Sequence, residues 1–147
     1  MEITRHFTVS TYILNSKNEL LLHFHKKLTL WLPVGGHIDR DELPTEAAIR
    51  EAKEESGLDI ELLDFDKKVD LVDAMHLIRP ISIMVQEINP YHQHIDFGYA
   101  ARAHNINIKP DEGESTKIMW VDSKTIKPIN TPQNVRAVYK SILEELS

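Results

Sequence analysis

The stretch that decides the fold runs Gly36, five residues, Glu42, seven residues, then Arg50-Glu51-Ala52-Lys53-Glu54-Glu55-Ser56-Gly57-Leu58. Its centre, Pro44 to Glu55, reads as a helix opened by proline at its first turn and stopped by Gly57. Glu51, Glu54 and Glu55 are related by i, i+3 and i+4 steps, so their carboxylates share one helix face. Three adjacent negative charges repel one another unless cations neutralise them, and a hard divalent metal is the natural partner of such oxygens. Arg50, four residues before Glu54, can grip a carboxylate with a forked hydrogen bond and fix its orientation. The plainer alternative is a solvated acidic helix face with an ordinary surface ion pair.

Working outward, Glu2 to Leu14 alternates polar and apolar residues and is rich in Thr, Val, Ile, Phe and Tyr, as a half-buried strand should be. A turn follows at Asn15 to Asn18, and Glu19 to His25 forms a second strand with Leu20, Leu22 and Phe24 on one face. A charged loop at Lys26-Lys27 leads to Trp31-Leu32-Pro33-Val34 and the pair Gly35-Gly36. Paired glycines let a backbone approach a ligand closely or adopt conformations closed to other residues, or they form a plain turn. Beyond the helix, Leu58 to Val69, Ile81 to Ile88, Gln93 to Ala103 and Lys117 to Val121 suggest strands, with a turn at Asn89-Pro90. Thr131 as N-cap and Pro132 at the first position open a second helix, whose Val135, Val138, Tyr139, Ile142 and Leu146 should dock on the sheet. Strands interspersed with two helices imply an α/β layered domain.

Composition sets limits. The 147 residues fit one domain spanning 1–147 with a single core, large enough to need neither disulfides nor a structural metal. With no cysteine there can be no disulfide, thiolate zinc site or cysteine nucleophile. No apolar run approaches the length of about eighteen residues that spans a bilayer, and Met1 to His6 lacks a signal peptide's apolar stretch, so a cytoplasmic location without a membrane partner is the expectation. A net charge of −6 argues against a nucleic-acid polymer as partner. It leaves room for a small phosphorylated substrate bridged to the protein by metal ions.

The pattern Gly36 to Leu58 matches G-x5-E-x7-R-E-U-x-E-E-x-G-U, with Ala52 and Leu58 at the aliphatic positions, and so resembles the Nudix box. The resemblance implies the Nudix α/β/α sandwich around a mixed β-sheet. It further implies a pyrophosphohydrolase that cleaves the diphosphate linkage of a nucleoside diphosphate derivative or nucleoside triphosphate. Divalent cations, normally Mg²⁺ with Mn²⁺ as an alternative, would bridge the carboxylates to the diphosphate and activate a water that attacks phosphorus. Mapped from the motif, Glu54 and Glu55 are direct ligands, Glu51 is a third, the Gly36 carbonyl is another, and Glu42 is peripheral or structural. Arg50 positions rather than reacts.

The general base is either a box glutamate or an acid from a loop. Glu112 and Glu114 in Asp111-Glu112-Gly113-Glu114-Ser115 are candidates, Glu114 the preferred one, against an exposed acidic loop with no catalytic part. The two-residue period of a strand puts His92, His94 and Asp96 on one face. Three readings of that face are open: a substrate-contacting wall that His37 could join, a structural polar network with Asp96 tying both imidazoles, or a transition-metal site. Trp31 and Tyr91 could stack on a base or pack at a sheet edge. The rival function is a Nudix-shaped nucleotide sensor. Such regulators tend to carry a DNA-binding domain and a damaged box, neither of which is seen in this sequence; a homodimer is left open.

Overall fold

The computed structural model describes residues 2–147. Eight strands and two helices follow one another as β1 (Thr4–Leu14), β2 (Leu20–His25), β3 (Leu30–Leu32), β4 (Val34–His37), α1 (Pro44–Ser56), β5 (Ile60–Leu62), β6 (Ser82–Asn89), β7 (His92–Ala103), β8 (Ile118–Val121) and α2 (Gln133–Leu146). All eight strands join one mixed sheet, in which β1 lies parallel to β7 while every other pairing is antiparallel. The α/β/α layering implied by the Nudix resemblance is thus the observed architecture.

The apolar residues form two clusters, one on each face of the sheet, where composition alone suggested a single core. Val9, Ile13, Leu21, Tyr99 and Ala101 meet Ala47, Ala48 and Ala52 of α1. Tyr12, Leu14, Leu20, Leu22 and Ala100 meet Val135, Val138, Tyr139 and Ile142 of α2. This division is the two-residue alternation of β1, β2 and β7 made physical. The alanines let α1 sit close to the sheet, and the Thr11 hydroxyl donates to the Ala48 carbonyl at 3.3 Å. At the helix start, Pro44 occupies the first turn and the Glu46 carboxylate accepts from the Leu43 amide at 2.9 Å. At its end, Gly57 turns left-handed at φ 76° and its amide donates to the Lys53 carbonyl.

Placement of β4 governs the site. β1 and β2 pair only at Leu14 and Leu20, so the other end of β1 is free for β4, whose Val34 to His37 lie opposite Thr11 to Thr8. β2 and β4 both pair with β1 but not with each other, and the end of α1 lies beside the gap between them.

Two sequence expectations are corrected. Leu58 to Val69 yields only the short β5, because the charged run Asp64-Phe65-Asp66-Lys67-Lys68 has no alternating apolar face to bury. Of the readings of Gly35 and Gly36, the plain turn falls away, since both lie within a strand and neither has a positive φ, which leaves the preferred one of close backbone approach. Thr131 is not the cap of α2: Pro132 holds that position, and the buried Thr131 hydroxyl has no partner among the described residues. The approach to α2 is fastened instead by Arg136, which donates to the carbonyls of Thr131 at 2.7 Å and Ile129 at 2.6 Å. No helix among the described residues is long and apolar enough to cross a membrane.

A Cβ on Gly57 would press on the Lys109 backbone, with the Lys109 carbonyl carbon 2.7 Å away, whereas one on Gly113, also left-handed at φ 90°, would meet open space. Gly113→Ala should therefore cost only the left-handed penalty of about 1–2 kcal/mol. Gly57→Ala should cost visibly more, because backbone must shift as well. Urea unfolding of the two variants checks the difference; equal losses would contradict the packing at Gly57.

Candidate active site

Glu55 points from the last turn of α1 into the gap between β2 and β4, and it is only 7 % exposed. The Gly35 amide donates to its Oε1 at 2.6 Å, and His23 Nε2 of β2 lies 3.4 Å from its Oε2. Glu51 abuts β4 one residue further on: a Cβ on Gly36 would overlap the Glu51 carboxylate, with Cδ at 2.6 Å. The glycines serve close approach rather than an unusual backbone conformation.

Arg50 organises the outer part of this acidic cluster. Its Nε and Nη2 donate to the two oxygens of Glu42 at 2.8 and 3.0 Å, forming a fork. Its Nη1 reaches Glu51 at 3.0 Å and Glu54 at 3.2 Å, and Nη2 also donates to the His37 carbonyl at 3.0 Å. The forked partner is Glu42, eight residues away, rather than Glu54; a single guanidinium spans three box carboxylates and β4. The hydrogen bond from Arg50 holds the Glu42 carboxyl below the usual range.

Arg50 makes no hydrogen bond to Glu55 among the described residues. Burial is the main force raising the Glu55 pKa, which is pushed up to about 8; the Gly35 amide opposes the shift, and the charges of Glu51, Glu114 and Glu54 add to it. Glu51 is raised too, first by burial, with Arg50 working against the shift. His23 is lowered to about 4, by burial and then by His25. The buried pair therefore favours its neutral forms in the protein without metal.

Glu114 joins this cluster because its loop is tied to α1. The Lys109 amide donates to the Ser56 carbonyl at 2.8 Å and the Asp111 amide to the Glu54 carbonyl at 2.7 Å, satisfying groups that the helix end leaves free. Glu114 then shares a pocket of about 240 Å³ with His23, His25 and Glu55. Glu112 points to solvent and does not line it.

Glu55 also reaches a larger cleft of about 560 Å³, bounded by Thr8, Ser10, Tyr12, Gly36, His37, Gln86, His94 and Asp96 from the sheet and by Val135 from α2. That size lies in the range of small-molecule sites. His37 and His94 line the cleft, while His92 stands outside it, its ring 4.9 Å from that of His94. Burial first, then His37, His92 and His6, lower the pKa of His94. Asp96 does not tie the imidazoles together; it accepts from the Thr8 hydroxyl at 2.8 Å. Trp31 packs edge-on against Phe24 at 5.5 Å, and Tyr91 sits half exposed at the β6–β7 turn, so neither faces the cleft.

The donor set fits a hard divalent cation. Glu51, Glu54, Glu55 and Glu114 offer oxygens only, two of the four are raised in pKa by burial, and the missing side chain of Gly36 keeps backbone against the Glu51 carboxylate. Sequence reading missed His23 and His6. An isolated histidine inside a strand pattern carries no signal until the strand is placed.

The pKa shifts set a pH dependence. A carboxyl raised in the fold binds a proton that the unfolded chain gives up, so Glu55 makes stability fall as pH rises toward about 8. His23, lowered to about 4 from an ordinary 6.5, acts oppositely, but only below about 6.5. Between pH 6.5 and 8 the metal-free protein should therefore lose stability, Glu55→Gln should flatten that slope, and Mg²⁺ should restore the wild type. Melting temperatures in chelator across this window check it; a wild-type slope unchanged by Glu55→Gln would contradict the assignment.

Comparison with known proteins agrees with this geometry. A model of the NUDIX domain matches residues 4–145. A hydrolase of the NUDIX family from Clostridium perfringens is 37% identical, with a TM-score of 0.84 over 99% of this chain and 100% of the other. A MutT protein from Methanosarcina mazei Go1 has a TM-score of 0.75 at 19% identity, covering 100% of this chain and 99% of its own. An ADP-ribose pyrophosphatase from Streptococcus suis has a TM-score of 0.65 at 18% identity, over 95% and 92%. The last two share the fold alone at such identities, whereas the domain match and the clostridial hydrolase carry the family. With the complete motif folded around one acidic cluster, the chain belongs to the Nudix hydrolases.

Proposed function

We propose that the protein is a divalent-metal-dependent pyrophosphohydrolase, cleaving the diphosphate linkage of a nucleoside diphosphate derivative or nucleoside triphosphate. The observation that carries this reading is the buried Glu55, on which the charges of Glu51, Glu54 and Glu114 act, at the point where the large cleft and the small pocket meet, with Glu51 against Gly36. The name of the streptococcal protein of the same fold, an ADP-ribose pyrophosphatase, falls within this substrate class.

Glu51, Glu54, Glu55 and the Gly36 carbonyl would hold Mg²⁺, or Mn²⁺ in its place. When bound, the cation lowers the pKa of the attacking water and screens charge that builds on the phosphate oxygens. Arg50 keeps Glu51 and Glu54 in register with β4 through its shared contacts with Glu42 and the His37 carbonyl. Glu114 receives the water's proton as general base, from a loop that α1 itself holds in place. His37 and His94 form part of the substrate wall; of the three histidines first considered, His92 is set outside the cleft. Buried Asp96, fixed by Thr8, offers a hydrogen-bond acceptor deeper in the same wall.

A panel of ADP-ribose, dinucleoside polyphosphates, nucleotide sugars and oxidised nucleoside triphosphates, assayed with Mg²⁺ by phosphate release after coupled digestion, tests the reading. On the best substrate, Glu54→Gln and Glu55→Gln should each lower kcat by on the order of 10²-fold or more, with the fold retained. Near wild-type turnover in both variants at saturating Mg²⁺ would overturn the ligand assignment.

A further inference from the structure

We propose that His6, His37 and His94 form a second cation site, separate from the carboxylates, that takes a transition metal of the zinc class at the edge of the cleft. One ligand atom from each residue can be chosen so that all three lie within 4.8 Å of one another. Strand register produces this arrangement from three distant parts of the sequence: His6 of β1 lies directly opposite His94 of β7, and His37 of β4 lies opposite Thr8, two residues along the same face.

The donors select the ion. Three imidazoles suit zinc, copper, nickel or cobalt, whereas magnesium and calcium favour oxygen. Tetrahedral zinc holds nitrogens at about 2.0–2.1 Å from the metal, hence about 3.3 Å from one another. Side-chain rotation can close the remaining distance, because His6 and His37 are exposed and none of the three imidazoles is engaged in a hydrogen bond among the described residues. The backbone that carries them is fixed by the ladder, so the site needs little ordering to form. The rings of His6 and His37 stand edge-on at 5.5 Å and those of His37 and His94 at 5.0 Å. His92, its ring 4.6 Å from His6, is placed to become a fourth ligand or to leave that position to water or a ligand oxygen.

The site stands independently of the hydrolytic reading, since its donors are nitrogens on strands rather than oxygens on α1. Tag-free, metal-stripped full-length protein is titrated with Co²⁺ in excess Mg²⁺, following visible absorption, and Zn²⁺ retention is measured by elemental analysis after dialysis. Imidazole-bound Co²⁺ of low coordination number absorbs far more strongly than Co²⁺ in an octahedral oxygen site. One equivalent with strong bands is expected in the wild type and in the Glu54→Gln/Glu55→Gln double variant. His6→Gln and His94→Gln should each weaken binding by on the order of 100-fold, while His76→Gln, remote in sequence and outside the cluster, should not. His6→Gln should also keep wild-type Mg²⁺-dependent turnover. No strong band and no retained zinc in the wild type would overturn the proposal, as would bands that survive both histidine variants or vanish in the double glutamine variant.

Discussion

Close approach of β4 to both β1 and α1 is the constraint on which the site depends, and two missing side chains permit it. A Cβ on Gly35 would collide with the Val9 carbonyl, and one on Gly36 with the Glu51 carboxylate. With both absent, the Gly35 amide reaches Glu55 and the His37 carbonyl reaches Arg50. Strand and helix are thereby joined at Glu55, a carboxylate expected to bind a cation, and at the guanidinium that holds Glu51 and Glu54. The scaffold and the chemistry share the same few atoms.

Neutralisation across the cluster is uneven, and the unevenness is useful. Arg50 compensates Glu42 most fully, touching both of its oxygens, and gives part of its charge to Glu51 and Glu54. Glu55 has a single amide donor and a neighbouring imidazole that burial keeps neutral. A buried acid so placed resists ionisation unless a cation arrives, so metal affinity and the cost of the empty site are two aspects of one electrostatic arrangement. The loop bearing Glu114 adds a further negative charge at the same point.

Much of this was legible in the sequence wherever a local rule operated. Proline and glycine bracketed α1, alternation marked β1 and β7, and the spacing of Val135, Val138, Tyr139 and Ile142 gave the buried face of α2. What escaped depended on contacts between distant segments. His23 became a neighbour of Glu55 only through the separation of β2 from β4, and His6 met His94 only through parallel pairing across 88 residues of sequence. The fork of Arg50 on Glu42 joins the helix to the residue just ahead of its cap, a contact that helical spacing does not describe. Thr131 failed as a cap because the helix begins one residue later, with Pro132 in the cap position, which sets the Thr131 hydroxyl one residue too early to accept from the first-turn amides.

The carboxylate cluster as a divalent-cation site is tested most directly by titrating Mn²⁺ into the metal-free protein and following the paramagnetic resonance signal of the free ion. Mg²⁺-displaceable binding is expected in the wild type, unaffected by His6→Gln and abolished in the Glu54→Gln/Glu55→Gln double variant. Undiminished Mg²⁺-displaceable binding in that double variant would contradict the central role given to these two residues.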